Sequence, residues 1–513
     1  MRGLAILGAA CFLAACSGPT SYLYKTEKAL GTEAQATKIM HSGVDFPRGL
    51  SLSMPGYVIG IEKAPRKLVT TERWQTSPRA KGEAHPRIPE GERRTNILAD
   101  SLYTDSKAHI VTHIMKYDVT KSPISAYQRV KGCALYNLYE QDLADAKIQC
   151  ERYLPALPEG QYTKAFDYSW NALDQFKSSL LETLSGPDAP THVVVYVMGW
   201  NTPQIEAYRN FNSLAGHMLD AAEADASNGR VEFRPLVVGV TWPSLWRNLK
   251  FVPDLIAHPI SYRNKANDAD EVGMSWLGVL LHDVLVGVRN QVDREQGRYI
   301  PIIAVGHSFG ARAVTRGVFT GPAIAPNPET APIDNYNRVA DLVIGLQGAF
   351  SKNRFHPKGG KGEEDQPYDH FRDQAGQTLL TASRHDSVIG LSFWSETAGN
   401  DDSWNDECKA GAVSDNPLFN CQNVAEKSEF LTTLRNLPRK ACIGNDPTSC
   451  RIQYVRMDPI VRFNAAETGG GAHSDIYRAP IGQLTWEMIK KYAPGGGIQR
   501  PPTASRLLKV TEK

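Results

Sequence analysis

The sequence predicts an α/β protein in which a mostly parallel β-sheet is flanked by helices. The first observation is that, from about residue 165 onward, short apolar runs alternate with longer segments of helical hydrophobic spacing. The second is that these runs are continuously rich in valine and isoleucine, as strands buried on both faces are. The third is size, since 513 residues of which 42% are hydrophobic can bury a large core.

Six apolar runs are the predicted strands of this sheet. In chain order they are HVVVYVMGW, PLVVGVTW, PIIAVGHS, DLVIGLQGAF, TLLTASRHDS and RIQYVRMD. Helical spacing predicts the accompanying helices AFDYSWNALDQFKSSLLETL, IEAYRNFNSLAGHMLDAAEAD, WLGVLLHDVLVGVRNQVDRE and FGARAVTRGVF, and a last one that ends in WEMIKKYA. Residues 165–493 are therefore the predicted α/β domain.

The segments around this domain have a less regular pattern. Residues 16–164 are an N-terminal extension of unclear fold, in which LSLSMPGYVIGIE alternates like a strand and SAYQRVKGCALYNLYEQDLADAKIQCERYL suits a helix. Residues 494–513 are a C-terminal tail. Two insertions, at about 243–270 and 388–450, follow predicted strand ends, where α/β sheets place ligand sites. Each insertion is either a cap or lid over a site, or a packed surface subdomain.

The N-terminus has the pattern of an export signal. MRGLAILGAACFLAACSGPT combines an early arginine, an apolar stretch and small residues, which predicts a signal peptide over residues 1–15 that is too short to span a membrane. LAAC, ending at Cys16, resembles the lipobox of bacterial lipoproteins, which implies lipidation of Cys16 and a stable anchor. Ser17 in place of aspartate resembles the outer-membrane sorting pattern of Gram-negative lipoproteins. We therefore expect the protein in the cell envelope, on either face of the outer membrane. The alternative is an ordinary signal peptide with a chance cysteine.

Six further cysteines fall in close pairs along the chain, as expected of an exported protein with disulfides. They are Cys133, Cys150, Cys408, Cys421, Cys442 and Cys450. Nearest-neighbour bridges are the simplest of the fifteen connectivities that six cysteines allow. Metal ligation is the alternative, but no C-x-x-C occurs and histidines do not cluster with these cysteines.

The segment IIAVGHSFGAR, residues 302–312, places the pattern G-x-S-x-G between a predicted strand and a predicted helix. In such a turn the serine is strained and its Oγ points out of the sheet, while side chains at Gly306 and Gly310 would collide with neighbouring backbone. The N-terminus of the following helix favours developing negative charge. Ser308 is therefore a candidate nucleophile, although serine and glycine are also common at ordinary strand–helix junctions.

A serine nucleophile needs a histidine base and a carboxylate that orients this histidine. His473 is the candidate base, because it lies in the glycine-rich segment TGGGAHSDIYRAP beyond the last predicted strand; the alternative is a solvated loop histidine. Asp386 ends the run TLLTASRHDS and is the candidate acid, or else the N-cap of a helix. Asp373 precedes that strand, and Asp475 is too near His473 in sequence to orient its Nδ1 easily.

The candidate oxyanion donors are main-chain N–H groups. One belongs to Phe309, the residue after the nucleophile. The other is expected in the loop after HVVVYVMGW, where Trp200 or Asn201 follows the strand, and Trp200 is the residue we select. A simple turn is the alternative for this loop.

Five motifs carry a family resemblance: YVMGWNT, VTWPS, VGHSFGAR, SRHDSV and GAHSDIY. In this order they resemble the α/β-hydrolase superfamily, and most closely its bacterial esterase- and lipase-like branch, over roughly residues 165–493. The resemblance implies an α/β-hydrolase fold and cleavage of carboxylic esters through a triad of Ser308, His473 and Asp386, with no metal or organic cofactor. Met198 departs from the family, which usually has histidine there and with it a hydrogen bond that braces the oxyanion loop.

The expected partners are an ester-containing small molecule or lipid, and the membrane that holds the lipid anchor. A formal net charge of +2 without a Lys/Arg cluster argues against a nucleic-acid partner. Alternatives with the same triad are a phospholipase, a thioesterase or an amidase. The rival class is a non-catalytic binding or scaffold lipoprotein that uses this fold.

Overall fold

The structure is a computed structural model of the chain, and it describes part of the residues. The described residues are 55–63, 109–117, 132–137, 149–155, 165–199, 202, 204–226, 232–242, 244, 266, 268–320, 322, 338–356, 367–368, 374–386, 397–411, 418–438, 452–462 and 471–495. The predicted signal peptide with Cys16, the residues Trp200 and Asp373, the pair Cys442 and Cys450, and nearly all of the predicted tail lie outside them.

The described residues form an α/β protein around one mixed sheet of eleven strands, whose spatial order is β10-β11-β9-β8-β7-β5-β6-β1-β2-β3-β4. The strands are β1 Gly56–Lys63, β2 His109–Tyr117, β3 Gly132–Asn137, β4 Gln149–Leu154, β5 His192–Val197, β6 Pro235–Thr241, β7 Ile302–His307, β8 Ala340–Leu346, β9 Ala375–Ala382, β10 Phe419–Asn423 and β11 Ile452–Arg456. Only β2 pairs antiparallel with its neighbours, β1 and β3, among these strands. The carboxyl ends of β5 to β11 therefore share one edge of the sheet.

Helices connect the parallel strands. The α-helices of the described residues are α1 Ala165–Ser185, α2 Gln204–Ala226, α3 Asp268–Gln296, α4 Phe309–Thr320, α5 Asp401–Gly411, α6 Phe430–Asn436 and α7 Ala479–Tyr492. Because β6 and β7 lie on opposite sides of β5, right-handed crossovers place α2 and α3 on opposite faces of the sheet. In agreement, α7 packs on α2, whereas α4 packs on α3.

By length and composition, α3 is the one helix among the described residues that could cross a membrane, with a mean hydropathy of 1.4 over its most apolar window. However, 83% of that window is buried inside the protein. Its segment Leu280–Leu285 has π-helical hydrogen bonding and buries four leucine and valine side chains. This burial is that of a core helix packed on a sheet.

A buried ion cluster fixes the relation of α3 to α4. The carboxylate of Asp270 in α3 accepts hydrogen bonds from Arg312 Nη2 at 2.6 Å, Arg316 Nε at 3.2 Å and Arg354 Nη1 at 2.8 Å. Burial opposes ionisation of Asp270, but the three guanidinium charges outweigh it and hold the pKa of this carboxyl well below its usual range. Because Arg312 and Arg316 belong to α4, this cluster positions the helix that follows Ser308.

The six strands predicted from apolar runs are confirmed as β5, β6, β7, β8, β9 and β11. The strand-like alternation in LSLSMPGYVIGIE is confirmed as β1, and the five predicted helices correspond to α1, α2, α3, α4 and α7. The predicted insertion at 243–270 ends inside α3, because Asp268 already belongs to that helix. The predicted insertion at 388–450 contributes an edge strand, β10, as well as α5 and α6.

The helix expected between residues 125 and 154 is wrong for the described residues, which form β3 and β4. Short apolar runs do not distinguish strand from helix by periodicity alone. The free edge of β2 supplies a partner for β3, with Tyr117 opposite Gly132, and this pairing decides the conformation. Strand β2, HIVTHIMKY, has no counterpart among the predicted elements. One sheet therefore contains strands from both sides of residue 165.

Two of the expected disulfides are present. Cys133–Cys150 joins β3 to β4, and Cys408–Cys421 joins α5 to β10. Both connect nearest neighbours in sequence, as predicted, and both fix elements at the two ends of the sheet. Each closes a short loop, which typically stabilises a protein by about 2–4 kcal/mol.

Candidate active site

Ser308 lies in a sharp turn between β7 and α4. Its φ is +56°, in the left-handed region that non-glycine residues rarely adopt, so the backbone is strained at this residue. The flanking glycines make the turn possible. A Cβ at Gly306 would lie 2.3 Å from the carbonyl oxygen of Gly310, and a Cβ at Gly310 would lie 2.2 Å from that of Val197. Backbone contacts therefore require glycine at both flanking positions of the pattern G-x-S-x-G.

Hydrogen bonds from the neighbouring strand region hold this turn. The N–H of Ser308 donates to the carbonyl of Leu346 at 3.0 Å, and the N–H of Ala349 donates to the carbonyl of Ser308 at 3.1 Å. Helix α4 begins at the next residue, Phe309, so that the positive end of the helix dipole lies beside Ser308. Strain at Ser308 is thus stabilised by β8 and by the packed helix.

His473 and Asp386 form a buried pair. His473 Nδ1 lies 2.7 Å from Asp386 Oδ2, and the aspartate side chain is fully buried. Asp386 follows β9, and His473 lies in the 3₁₀ turn Gly471–Ser474 that precedes α7. A carboxylate at this distance from Nδ1 favours the imidazole tautomer that carries its proton on Nδ1 and its lone pair on Nε2. In that tautomer Nε2 can accept a proton.

Gln347 is a further partner of the aspartate. Its Nε2 donates to Asp386 Oδ2 at 3.2 Å, and its Oε1 accepts from the Thr381 hydroxyl at 2.8 Å. Gln347 has a φ of +47°, the second strained non-glycine residue among the described ones. This left-handed conformation turns the chain after β8, and the side-chain amide of Gln347 reaches Asp386. The acid is therefore held from β8 as well as from β9.

The alternative acids differ in their surroundings. The Asp475 carboxylate accepts from the main-chain N–H of Arg462 at 2.9 Å and forms an ion pair with Arg478. These contacts stabilise the turn that carries His473, whereas the carboxylate beside His473 Nδ1 is that of Asp386. Asp373, the other alternative, lies outside the described residues.

The loop after β5 lies beside the sharp turn at Ser308, which is the Ser308 elbow. A Cβ built at Gly199 would be 3.4 Å from Ser308 Cβ, so little space separates the two turns. Trp200, the predicted donor in this loop, is outside the described residues, whereas Phe309 is the first residue of α4. The described part of this arrangement is the close approach of Gly199 to Ser308 and the helix N-terminus at Phe309.

Two residues after β6 hold the loop that contains Gly199. The indole Nε1 of Trp242 donates to the carbonyl of Met198 at 2.7 Å. On the other side of the loop, Ser244 Oγ accepts from the N–H of Thr202 at 3.2 Å and donates to its carbonyl at 3.1 Å. Trp242 and Ser244 thus brace this loop at Met198 and at Thr202.

Sequence reasoning did not assign roles to Gln347, Trp242 or Ser244. Trp242 and Ser244 lie in the motif VTWPS, which by itself indicates a resemblance but no role for either side chain. Gln347 follows a predicted strand in DLVIGLQGAF, and a single polar residue at such a strand end was the available signal.

Among the described residues, one group could hold a metal ion: His109, Asp268 and Glu271, whose ligand atoms all lie within 4.8 Å of one another. His109 Nδ1 is 3.6 Å from Glu271 Oε2, the distance of an ion pair. His109 begins β2, four positions along the sheet from β7, or about 19 Å at 4.8 Å per strand. The group is therefore separate from Ser308.

No protein-family model matches this chain, and no curated protein matches it. Its chemistry has to be inferred from the site. The site combines a strained serine at a helix N-terminus, a buried histidine–aspartate pair and a braced loop beside the serine.

Proposed function

We propose that the protein is a serine hydrolase of the α/β-hydrolase type that cleaves carboxylic esters. The observation that carries this proposal is the buried pair of His473 and Asp386 at the same sheet edge as the strained turn of Ser308. A strained serine and a buried, oriented histidine are both costly to a fold. Catalysis by nucleophilic attack explains why they occur together.

The proposed reaction has two halves. Ser308 Oγ attacks the ester carbonyl while His473 Nε2 takes the hydroxyl proton, and Asp386 stabilises the resulting imidazolium. The N–H of Phe309, with the α4 dipole, favours the negative oxygen of the tetrahedral intermediate. The intermediate expels the alcohol, which receives the proton from His473. Water then attacks the acyl-enzyme by the same steps, releasing the acid and free Ser308.

We also propose that the enzyme acts in a bacterial cell envelope, tethered through a lipid on Cys16. This part rests on the sequence LAAC at the end of the predicted signal peptide and on two disulfides, which favour an oxidising compartment. A lipid anchor would keep the site close to a membrane surface. Lipid esters are therefore one substrate class to include in any assay.

The test is hydrolysis of p-nitrophenyl esters of graded acyl length by the full chain in detergent, beside a phospholipid, a thioester and an anilide. We expect ester hydrolysis that Ser308→Ala abolishes and that a fluorophosphonate blocks by labelling Ser308. Ser179→Ala is the matched control, since Ser179 is equally buried but lies in α1. Full activity of folded Ser308→Ala would contradict the mechanism, and absence of hydrolysis of all four substrates would favour a binding or scaffold role.

A further inference from the structure

His307 precedes the proposed nucleophile and contacts the proposed base through its main chain. The His307 ring is buried at the end of β7, and its Nε2 lies 2.8 Å from the carbonyl oxygen of His473. The two imidazole rings pack with centroids 4.5 Å apart. On its other side, His307 Nδ1 lies 3.1 Å from the hydroxyl of Tyr477.

These contacts fix the tautomer of His307. A carbonyl oxygen can only accept, so Nε2 must carry the proton that it donates to His473. Burial, together with the nearby His473, holds the pKa of His307 well below its ordinary value, so the ring is neutral and Nδ1 has a free lone pair. The Tyr477 hydroxyl then donates to Nδ1; burial raises the pKa of this hydroxyl, which therefore keeps its proton.

The position of this contact matters because His473 belongs to a short turn and not to a strand or a long helix. Asp386 holds the side chain of His473, whereas His307 holds its main chain. Two points of attachment on different elements determine both the place and the tilt of the imidazole. We propose that His307, in its Nε2–H form, is a positioning residue that fixes the His473 turn against the Ser308 elbow, with Tyr477 selecting that form. This inference rests on the function proposed above.

The alternative is that His307 only fills space in the core. The chain contains a matched control for this alternative, His192 at the start of β5. His192 Nε2 donates to the carbonyl of Ala493 at 3.0 Å, and its Nδ1 lies 2.8 Å from the Thr191 hydroxyl. Burial lowers the pKa of His192 to about 4, so it too is neutral. It therefore makes the same two contacts at the opposite edge of the sheet, away from Ser308.

The experiment compares His307→Leu, His307→Gln and Tyr477→Phe with His192→Leu in the full chain. We expect His307→Leu to lower kcat about 10- to 100-fold with little change in KM, because small displacements of a catalytic group have effects of this size. His307→Gln should recover most of the loss, since its amide nitrogen reaches the position of Nε2. Tyr477→Phe should lower kcat less, and the double variant should lose no more than His307→Leu alone, because the residues act as a unit.

A spectroscopic readout separates this inference from the proposed function. The proton shared by His473 Nδ1 and Asp386 gives a low-field proton NMR resonance whether or not the protein hydrolyses esters. We expect His307→Leu to shift or broaden this resonance and His192→Leu to leave it unchanged at equal thermal stability. If His307→Leu alters neither the resonance nor kcat, or if His192→Leu alters both equally, the inference is wrong. If His307→Leu alters the resonance but the protein has no esterase activity, the positioning role of His307 would be supported and the proposed function contradicted.

Discussion

Replacement of Asp386 by asparagine tests the proposed triad most directly. In the structure, Asp386 Oδ2 accepts from both His473 Nδ1 and Gln347 Nε2. An amide has only one acceptor oxygen, and its nitrogen is a donor. If the amide oxygen stays with Gln347 and the nitrogen faces His473, then Nδ1 must accept and Nε2 must carry the proton. The imidazole would then have no lone pair for the Ser308 proton.

The magnitude follows from this tautomer change. The same aspartate-to-asparagine change in a well-studied serine triad lowers kcat by about 10⁴. Such a factor corresponds to about 5 kcal/mol of lost transition-state stabilisation. The fold should lose much less, about 1 kcal/mol, because a charge-assisted hydrogen bond worth about 1.5–3 kcal/mol is replaced by a neutral one worth about 0.5–1.5 kcal/mol.

The assay is kcat/KM on the best p-nitrophenyl ester, with circular dichroism and urea denaturation to verify the fold. Asp475→Asn is the matched control. Asp475 is as buried as Asp386 and lies two residues from His473, but it binds the Arg462 N–H and Arg478. We expect this control to lose stability and to retain most of its activity. If folded Asp475→Asn is the inactive variant and Asp386→Asn is nearly normal, the assignment of the acid is wrong.

Three other predictions concern the loop beside Ser308, the buried ion cluster at Asp270 and the lipid anchor at Cys16. Trp242→Phe removes the donor to the Met198 carbonyl, and should lower kcat about tenfold at constant KM, whereas Trp486→Phe, which removes an indole bond to Asp225, should not. Asp270→Asn should lower the unfolding free energy in urea by about 3–5 kcal/mol, because it leaves three buried guanidinium groups without their carboxylate. Since the folded pKa of Asp270 is depressed, its contribution should be fully present above about pH 4 and be lost only in stronger acid; a loss at neutral pH would contradict this. Cys16→Ser should release the protein from the membrane fraction and abolish palmitate labelling, and equal membrane retention would contradict the lipid anchor.

The parallel centre of the sheet could be predicted because its strands are buried on both faces. Val193, Val194 and Val195 in β5 are all buried, and such continuous valine and isoleucine runs have few other interpretations. The elbow at Ser308 could be predicted because backbone contacts exclude side chains at its two glycines. In both cases the cause lies within a few consecutive residues, which is where a sequence pattern can be read.

The antiparallel end of the sheet could not be predicted in this way. Strand β3 depends on β2 for its pairing, and β2 depends on β1, which in turn pairs parallel with β6 more than a hundred residues later. The helical spacing around Cys133 is a local property that this pairing overrides. Long-range pairing of this kind leaves little trace in any one short segment.

The braces of the site were missed for the same reason. Trp242 acts on Met198, Gln347 on Asp386, and Tyr477 on His307, and each pair is far apart in sequence. A tryptophan, a glutamine or a tyrosine at a strand end can have many roles. Its role is identified only by the residue that it contacts in the folded protein. By contrast, the search for a histidine and an aspartate follows from the chemistry, because a serine nucleophile requires a base and a carboxylate that orients it.

The arrangement of the sheet explains why the three proposed catalytic residues can be so far apart in the chain. Ser308 follows β7 and Asp386 follows β9, with only β8 between these strands, and His473 lies beyond β11, the next neighbour of β9. Because parallel strands bring their carboxyl ends to one edge, the connections between them can vary in length without moving these ends. The segment from Asp401 to Asn436 uses this freedom: it adds α5, α6 and the edge strand β10, which pairs with the outer side of β11. Precision is needed only within the few ångströms around Ser308, where the elbow glycines, Gln347 and the contact of His307 with the His473 turn supply it.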